Sequence, residues 1–548
     1  MQLAAQTAVT VEFMLPPQHS LFLRRRFAPD ALLSVKLVSQ SLPGDGSATG
    51  GASGVLETAE MLGCDVKPDI LYVLPSGTSV SLYSHTGCTV AVAGDPVTLQ
   101  QVFLAPPGST MLRGASELHY RLEELRVAAK KALDAGDDGA VGPRVLVCSA
   151  TGGCGKSTLV QLLANYAVRL RYHPLVVDLD VDCPSAGSLP TGIAVHCLQY
   201  QVDVTEGYSL SPSGLHVHYG ADDYGWNTAL MTDLLRTVSD ACISRQSRFP
   251  RSRVGGIFID YPTVDAQAVL EAQAQQVAEG SSGVGGLANI KANPIDALIT
   301  ALGMFDVDTV IVVGADWLRH ELHSTCVERF GASSGPTAAV GGGGATDDPT
   351  VLPLPRQATA RLYSFPASEF AAPRAPAHKD ALRRQQWLQY LFGTATSPVT
   401  PTLVHLELSK VRLVRTKANQ AESMQGLLPM QDTTLDGDVG DADPMGHRPA
   451  ANPMQHIQEL TVADVKLPGM LVGISDAPSM KVAATGIEQP VSYEQFFHAV
   501  GRCTVAGYAL VREVTATTVT LLTPNGGLPL QRNGLTCLLL TDTFLAMR

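Results

Sequence analysis

One stretch in the first third of the chain constrains the fold more than any other. Val145 to Cys148 is a short apolar run, which is typical of a buried strand. A glycine-rich turn follows and leads into Gly155-Lys156-Ser157-Thr158, after which apolar residues recur at helical spacing as far as Leu170. This order of strand, glycine-rich loop, Gly-Lys-Ser and helix predicts a phosphate-binding loop in an α/β domain.

The pattern assigns a role to each part of the loop. Backbone N–H groups at the start of a helix bind phosphate oxygens, and Lys156 adds a point charge between the β- and γ-phosphates. The hydroxyl of Ser157 is the predicted protein ligand of Mg²⁺, and Thr158 is placed near the α-phosphate. The predicted nucleotide-binding residues are therefore Gly153, Cys154, Gly155, Lys156, Ser157 and Thr158.

The loop departs from the usual motif at its first position. Ala150 stands where glycine is expected, and its Cβ would hinder a turn that glycine permits. Gly152 and Gly153 lie inside the loop and supply flexibility there. The alternative is a chance Gly-Lys-Ser-Thr in a glycine-rich protein, which the flanking strand and helix disfavour.

A second apolar run, residues 174–180, ends in two acids. A strand over this range would place Asp178 and Asp180 on the same side, at the sheet edge that carries the phosphate loop. Asp178 is predicted to join Ser157 at the metal, and Asp180 to accept a proton from an attacking hydroxyl group. The alternative is that both acids cap the next turn. Asp182 adds a third acid without an assigned role.

Composition limits the class of protein. The 548 residues favour several domains, and a hydrophobic share of 45% is ample for packed cores. A net charge of −12 does not favour binding to nucleic acid through the field of the whole molecule. The ten cysteines form no CxxC pair, which favours a reducing compartment without a zinc site. With no apolar leader and no apolar run of membrane-spanning length, we expect a soluble intracellular protein without membrane contact.

Changes in pattern divide the chain into three domains and a linker. Residues 1–107 read as a small β-sandwich with a flexible loop at 42–54, and residues 108–141 as a linker helix. Residues 142–399 alternate strands and helices, which predicts a parallel sheet, interrupted by low-complexity insertions at 280–292 and 331–349. Residues 400–548 read as a β-rich domain containing a long loop at 420–455.

Two basic segments each allow two interpretations. Arg24-Arg25-Arg26 is either a solvated strand edge or, less expectedly, a nucleic-acid contact. Residues 379–392 form a basic helix with an apolar face. This helix either carries charge-stabilising cations over the nucleotide as a lid, or packs on the sheet as a surface helix.

Several motifs together resemble the Clp-type polynucleotide 5′-hydroxyl kinase family. Each motif is weak alone, but their order and spacing are specific and extend over nearly the whole chain. The motifs are Thr86-Gly87-Cys88, Gly142-Pro143-Arg144-Val145, Gly155-Lys156-Ser157-Thr158, Asn165-Tyr166-Ala167-Val168-Arg169-Leu170, Asp178-Leu179-Asp180-Val181, Asp203-Val204-Thr205-Glu206-Gly207-Tyr208-Ser209-Leu210, Phe305-Asp306-Val307-Asp308 and Tyr390-Leu391-Phe392-Gly393.

The resemblance implies a central P-loop domain between two β domains, ATP and Mg²⁺ at residues 153–158, and a nuclear location. It also implies a scaffold subunit and other proteins of the mRNA cleavage and polyadenylation complex as partners. Some family members phosphorylate RNA 5′-hydroxyl ends, so RNA 5′ ends are a further candidate partner. Others have lost that activity and remain ATP-bound structural subunits.

The departures from the family pattern fall mainly on the substrate side. Asp182-Cys183 replace the Gly-Gln of active members, which places an adverse negative charge where the resemblance implies that RNA phosphate approaches. The tryptophan of the RNA clasp is missing from residues 260–264. Phe22 and Ser79 occupy the positions of the family's adenine-side Glu and Lys. Arg361, Arg374 and Lys379 are candidates for the lid cations.

Three hypotheses follow from this pattern. The first, which we favour, is an ATP-binding subunit of the nuclear mRNA 3′-end cleavage and polyadenylation machinery without kinase activity. The second is an active ATP-dependent RNA 5′-hydroxyl kinase, with Asp180 as the base. The third is a P-loop ATPase of unrelated purpose.

Overall fold

The computed structural model describes most of the chain. The described residues are 8–28, 31–38, 58–105, 110–184, 187–208, 214–281, 293–331, 348–355, 358–368, 375–394, 397–418, 453–482, 488–524 and 535–545. The predicted flexible loop at 42–54, nearly all of the two low-complexity insertions and most of the loop at 420–455 lie outside these residues. The end of that last range differs from the prediction, because Pro453–His456 form a 3₁₀ turn.

The N-terminal region consists of two packed antiparallel sheets, in the orders β1-β8-β3-β6 and β5-β4-β7-β2-β9. Alternating residues of both sheets, including Leu21, Val35, Leu82 and Val90, meet in one apolar core. The elements are β1 Val9–Leu15, β2 His19–Arg24, β3 Leu33–Leu37, β4 Glu60–Met61, β5 Cys64–Asp65, β6 Leu71–Val73, β7 Ser79–Ser84, β8 Cys88–Gly94, α1 Pro96–Leu99 and β9 Phe103–Leu104.

The basic run of this region is engaged internally rather than solvated. Arg25 donates hydrogen bonds to the carbonyl oxygens of Ala31 and Leu74. Arg26 forms an ion pair with the buried Asp95 at 3.0 Å. Only the Arg24 side chain of this run lines the large cleft described below.

The linker helix α2, Thr110–Asp134, packs against the P-loop helix and carries a buried arginine that contacts the central domain. Arg126 is fully buried, with its guanidinium over the rings of Tyr172 and Phe258 and beside Glu123 at 3.3 Å. A buried cation needs such partners, so these contacts fix α2 on the central domain.

The central region alternates strands and helices around one sheet. Its elements are β10 Arg144–Ser149, α3 Lys156–Arg169, β11 Leu175–Asp178, β12 Gly192–Cys197, β13 Leu215–His218, α4 Thr228–Arg248, α5 Pro250–Gly255, β14 Ile257–Thr263, α6 Ala266–Ser281, α7 Pro294–Met304, β15 Thr309–Val313, α8 Asp316–Phe330, β16 Val351–Pro353, β17 Thr359–Phe365 and α9 Pro376–Phe392.

Five neighbouring strands, in the order β17-β15-β10-β14-β11, run parallel, as predicted. The whole sheet is mixed, because β12, β13 and β16 pair antiparallel. A parallel pair needs a long crossover, whereas β11 to β12 and β12 to β13 are joined without an intervening helix among the described residues.

The C-terminal region extends the same sheet. Strand β24 pairs with β13 through His216 and Val217, so the sheet of fifteen strands continues from the central region into the C-terminal one. Its elements are β18 Thr402–Glu407, β19 Val411–Thr416, β20 Ile457–Leu460, β21 Met470–Ser475, β22 Met480–Val482, β23 Glu488–Pro490, α10 Tyr493–Val500, β24 Thr504–Val514, β25 Thr518–Thr523 and β26 Thr536–Phe544. The fold is therefore α/β, with a P-loop domain flanked by β-rich regions.

Candidate nucleotide-binding site

The glycine-rich loop joins β10 to α3 with the backbone conformation that its glycines allow. Gly153 has φ 79° and Gly155, the N-cap of α3, has φ 102°, values that disfavour any residue with a Cβ. Ala150 is not among the described residues with positive φ, so its Cβ meets no such restriction. The turn that the missing glycine was expected to provide is made three residues later.

Lys156, the first residue of α3, lies between two carboxylates. Its Nζ forms an ion pair and hydrogen bond with Oδ1 of Asp260 and lies 3.6 Å from Oδ2 of Asp180. Burial opposes the charge on Lys156, but the two carboxylates outweigh burial and raise its pKa above the ordinary value. Lys156 is therefore a permanent cation at the base of the loop.

Sequence reasoning missed Asp260 as a member of this site. Asp260 is fully buried on β14, in register with Val147 of β10 on one side and Asp178 of β11 on the other. An apolar run that ends in an acid, Ile257 to Asp260, repeats the pattern at 175–178. That repetition was the available signal, but the strand order that brings the two acids together is not readable from either run.

The structure separates the roles of Asp178 and Asp180. Strand β11 ends at Asp178, so the prediction of a strand reaching Asp180 is wrong. Asp178 is fully buried and accepts hydrogen bonds from the backbone N–H groups of Asp180 (3.1 Å) and Ser188 (3.4 Å). Asp180 accepts one from Cys183 N–H and lines the cleft. Asp178 thus holds the turn, and Asp180 faces the site.

A cleft of about 770 Å³ lies above the loop. Its walls come from the N-terminal sheet at β2 and β7, from residues 149–158, from the turn after β11 and from α9. Of the predicted nucleotide-binding residues, Gly153, Gly155, Lys156, Ser157 and Thr158 line this cleft. The Cys154 side chain instead packs in an apolar core, which leaves only its backbone for phosphate.

Helix α9 satisfies parts of both interpretations of the basic segment. Trp387, Tyr390 and Leu391 are buried against the core. Its other face borders the cleft, where Lys379 Nζ lies 2.6 Å from Oδ2 of Asp182. A second basic residue of the helix, Arg383, reaches the other oxygen of Asp182 at 3.1 Å. Asp182 is therefore an acid that anchors α9.

The remaining substrate-side candidates are dispersed. Arg361 lies on β17 in register with Thr309, at the end of the parallel strands opposite the phosphate loop. Arg374 lies outside the described residues. Tyr261, in the segment expected to hold an RNA base, is buried against Tyr224 and offers no open aromatic face. Phe22 and Ser79 do line the cleft.

The donor set at the loop fits a nucleotide with Mg²⁺. The ion prefers oxygen ligands and keeps several waters, and Ser157 and Asp180 present oxygens to the cleft, with Asp260 directly beneath. Tyr208 adds a buried hydroxyl without a hydrogen-bond partner among the described residues. Burial and the charges of Asp260 and Asp178 raise its pKa well above the ordinary value, so Tyr208 is a neutral donor beside them.

The far end of α3 is fixed to the N-terminal sheets by side chains of the Asn165–Leu170 motif. The buried Glu60 accepts a hydrogen bond from the Tyr166 hydroxyl at 2.6 Å and pairs with Arg169 at 2.9 Å. Asn165 donates to the Leu62 carbonyl at 2.7 Å and accepts from Val202 N–H at 2.8 Å. These contacts hold the N-terminal wall of the cleft against the P-loop helix.

Two kinds of feature are absent from the described residues. They contain no group of three or more His, Cys, Asp or Glu side chains placed to hold a metal ion. Within the same residues, no helix combines the length and apolarity needed to cross a bilayer.

The loop, the buried lysine and the acids at the carboxyl ends of parallel strands define a P-loop nucleotide-binding domain. Residues 151–279 match the model of the mRNA cleavage and polyadenylation factor CLP1 P-loop family. Over this range the chain is similar to the P-loop domain of that family.

The chain is also similar to named relatives over part of their length. The chain is 29% identical over 264 residues to the polyribonucleotide 5′-hydroxyl-kinase Clp1 of Danio rerio, covering 48% of this chain and 51% of the relative. It is 28% identical over 356 residues to the mRNA cleavage and polyadenylation factor CLP1 of Coccidioides immitis, covering 56% of each. The chain thus spans about half the length of the curated relatives it matches.

The solved structure of a wild-type Clp1p–Pcf11p complex shares the fold. Its TM-score is 0.63 at 15% identity, with 98% of this chain and 99% of that chain covered. At this identity the likeness shows a common architecture, including the two β-rich flanks, and no more.

Proposed function

We propose that this chain is an ATP-binding subunit of the nuclear mRNA 3′-end cleavage and polyadenylation machinery that holds ATP without efficient transfer to RNA. The similarity of residues 151–279 to the mRNA cleavage and polyadenylation factor CLP1 P-loop family supports the process. The contrast between the two sides of the cleft supports binding without transfer.

The phosphate-binding side keeps the groups that ATP requires. Backbone N–H groups of residues 153–158 and the N-terminus of α3 would hold the phosphates, with the Lys156 charge among them. Ser157 and the acids beneath Lys156 would hold Mg²⁺, which neutralises phosphate charge when bound. Asp178 was the acid expected at the metal, but its hydrogen bonds to the turn favour Asp180 and Asp260 for this role.

The charge of the cleft carries the proposal that RNA is not the acceptor. Among the described residues that line it, seven are acidic and three, Arg24, Lys156 and Lys379, are basic. Lys156 and Lys379 are already paired with carboxylates. The acids are Asp180, Asp182, Asp203, Glu206, Asp222, Asp223 and Asp265. A polynucleotide adds a charge at every phosphate, so this lining opposes its entry.

An active RNA 5′-hydroxyl kinase is the second candidate, and the position of Asp180 favours it. Its carboxylate lines the cleft 3.6 Å from Lys156 Nζ, where it would accept the proton of an acceptor hydroxyl group. In such a kinase Lys156 orients the phosphates, and the loop's N–H groups stabilise the developing charge.

We also propose that the partners are a scaffold subunit and other proteins of that complex, in the nucleus. The support is that the solved structures of shared fold are complexes of Clp1p with Pcf11p. One of those structures is described as explaining ATP loss in a point mutant of that protein. Partner binding and ATP retention are therefore tested together.

The test is purification of the tagged chain from nuclear extract, with quantification of 3′-end processing proteins and of nucleotide released on denaturation. We expect processing factors and ATP in near-stoichiometric amounts. Asp180→Asn should leave the processing factors in place, and Lys156→Ala should lose the nucleotide. Recovery of neither processing factors nor ATP with the wild-type chain would contradict the proposal.

A further inference from the structure

Asp182 belongs to an ion-pair cluster of five side chains at the edge of the cleft. Its Oδ2 binds Lys379 Nζ at 2.6 Å and its Oδ1 binds the Arg383 guanidinium at 3.1 Å. Arg383 is also held by Asp222 and, at 2.7 Å, by Asp380. Each oxygen of Asp182 therefore takes one cation of α9, and every cation in the cluster has an anionic partner.

The cluster borders the reactive end of the site. Asp182 and Lys379 both line the cleft that contains Lys156 and Asp180. The hydrogen bond that Lys379 donates to Asp182 is the main cause that raises the pKa of Lys379, and the charge of Asp180 adds to it. Lys379 therefore lies in the same electrostatic neighbourhood as Asp180, whose carboxylate is 3.6 Å from Lys156 Nζ.

We propose that Asp182 is a specificity-determining residue that excludes an anionic polynucleotide from the cleft. Its carboxylate binds Lys379 and Arg383 of α9, of which Lys379 lines the cleft and would otherwise contact a phosphodiester backbone, and it places a negative charge where that backbone would lie. This inference rests on the proposed function, because it explains how a P-loop nucleotide-binding site excludes an RNA acceptor.

Electrostatics gives the size of the effect. The cluster holds three acids and two bases, so it presents net negative charge to an approaching phosphate. Removing the Asp182 charge would leave two acids and two bases in the cluster and would release Lys379, while Arg383 would keep Asp222 and Asp380 as partners. Each additional phosphate of a single strand that a protein cation neutralises steepens the salt dependence of binding by about 0.7 in log–log slope.

The test measures binding of a fluorescent 5′-hydroxyl oligoribonucleotide by anisotropy at several salt concentrations, with and without a non-hydrolysable ATP analogue and Mg²⁺. We expect Asp182→Asn to raise RNA affinity by roughly 10-fold and to steepen the log–log salt slope by about 0.7 or more. Adding Lys379→Gln to Asp182→Asn should remove about half of the gain in free energy.

Asp223→Asn is the matched control. Asp223 lines the same cleft and is exposed, and its side chain accepts a hydrogen bond from Gly225 N–H that asparagine also accepts. This variant removes the same charge without freeing a cation of α9, so its RNA affinity should change by less than about 3-fold. Equal gains in Asp182→Asn and Asp223→Asn, or no gain in Asp182→Asn, would overturn the inference.

Calorimetric titration of the same preparations with MgATP keeps the two proposals separable. If wild-type protein binds no ATP, the proposed function fails, while the RNA comparison is still read without nucleotide. If ATP binds and Asp182→Asn gains no RNA affinity, only the role of Asp182 fails.

Discussion

The two sides of the cleft differ in the groups that they present to a ligand. On the phosphate-binding side, glycines with positive φ, a helix N-terminus and a buried lysine are arranged for a nucleotide. On the α9 side, the cations are bound to the protein's own carboxylates. The first side offers backbone N–H donors to a phosphate. On the second side, the Asp182 carboxylate already binds the cations that a phosphate would contact.

The contrast shows that a P-loop alone does not define a kinase. Transfer needs a second set of free charges around the acceptor, because catalysis of phosphoryl transfer is mainly positioning and electrostatic stabilisation. In this chain the two sets are separable, since they lie on different elements. Variants on one side should therefore leave the other largely unchanged.

The largest expected effect breaks the phosphate-binding side. Lys156→Ala should weaken MgATP binding by more than about 100-fold, because it removes the phosphate-binding charge and leaves the buried Asp260 without its cation. Calorimetric titration measures the loss. Lys156→Ala/Asp260→Asn controls for the unpaired acid: it should regain stability without regaining affinity.

The second prediction concerns the wall of the cleft at the opposite end of α3. Glu60→Ala should lower the free energy of unfolding by about 3 kcal/mol, because it removes the acceptor of the buried Tyr166 hydroxyl and the buried one of the two carboxylates that pair with Arg169. Urea denaturation measures it. Asp65→Asn, at the exposed end of the same arginine, should cost under about 1 kcal/mol. Similar losses in both variants would show that Glu60 is not the anchor.

The third prediction separates the cleft from the junction with the C-terminal region. On β13, burial lowers the pKa of His216 and of His218 to about 4, with the neighbouring His196 contributing to the former. Between pH 6.5 and 4 the unfolded chain binds more protons than the folded one, so stability is full above 6.5 and falls as the pH drops. The loss should be of order 2 kcal/mol per histidine.

Thermal denaturation across this pH range provides the measurement. His216→Gln should flatten the decline, since one titrating group is removed. A decline that is as steep in His216→Gln as in the wild type would place the acid sensitivity elsewhere.

The smallest effect is expected at the first position of the loop. Ala150→Gly should change MgATP affinity by less than about 3-fold, because the backbone at Ala150 is not left-handed and gains nothing from glycine. Calorimetric titration with MgATP measures the change in affinity. A 10-fold gain would mean that the departure from the motif does limit the phosphate-binding side.

The local parts of the site were predictable from sequence. The run from Val145 to Thr158 became β10, a glycine-rich loop and the start of α3, because strand and helix periodicities are local signals. Asp260 escaped notice since it lies 104 residues from Lys156 and meets it only through the strand order. Continuity of the sheet from β13 to β24 was hidden for the same reason.

Asp182 shows a different limit. The sequence indicated an adverse charge at residue 182 and a basic helix at 379–392, but the two are 197 residues apart at their contact. Their pairing turns two separate features into one cluster. Opposite charges in a sequence indicate candidate ion pairs, but the fold determines which residues pair.

The most direct test of the central claim is a single-turnover reaction of purified protein with γ-labelled ATP, Mg²⁺ and a 5′-hydroxyl oligoribonucleotide, with the bound nucleotide identified after denaturation. The account predicts intact ATP released from the protein and no label on the RNA above the level of Lys156→Ala. Label on the RNA, dependent on Lys156 and Asp180, would contradict it and make this chain a kinase.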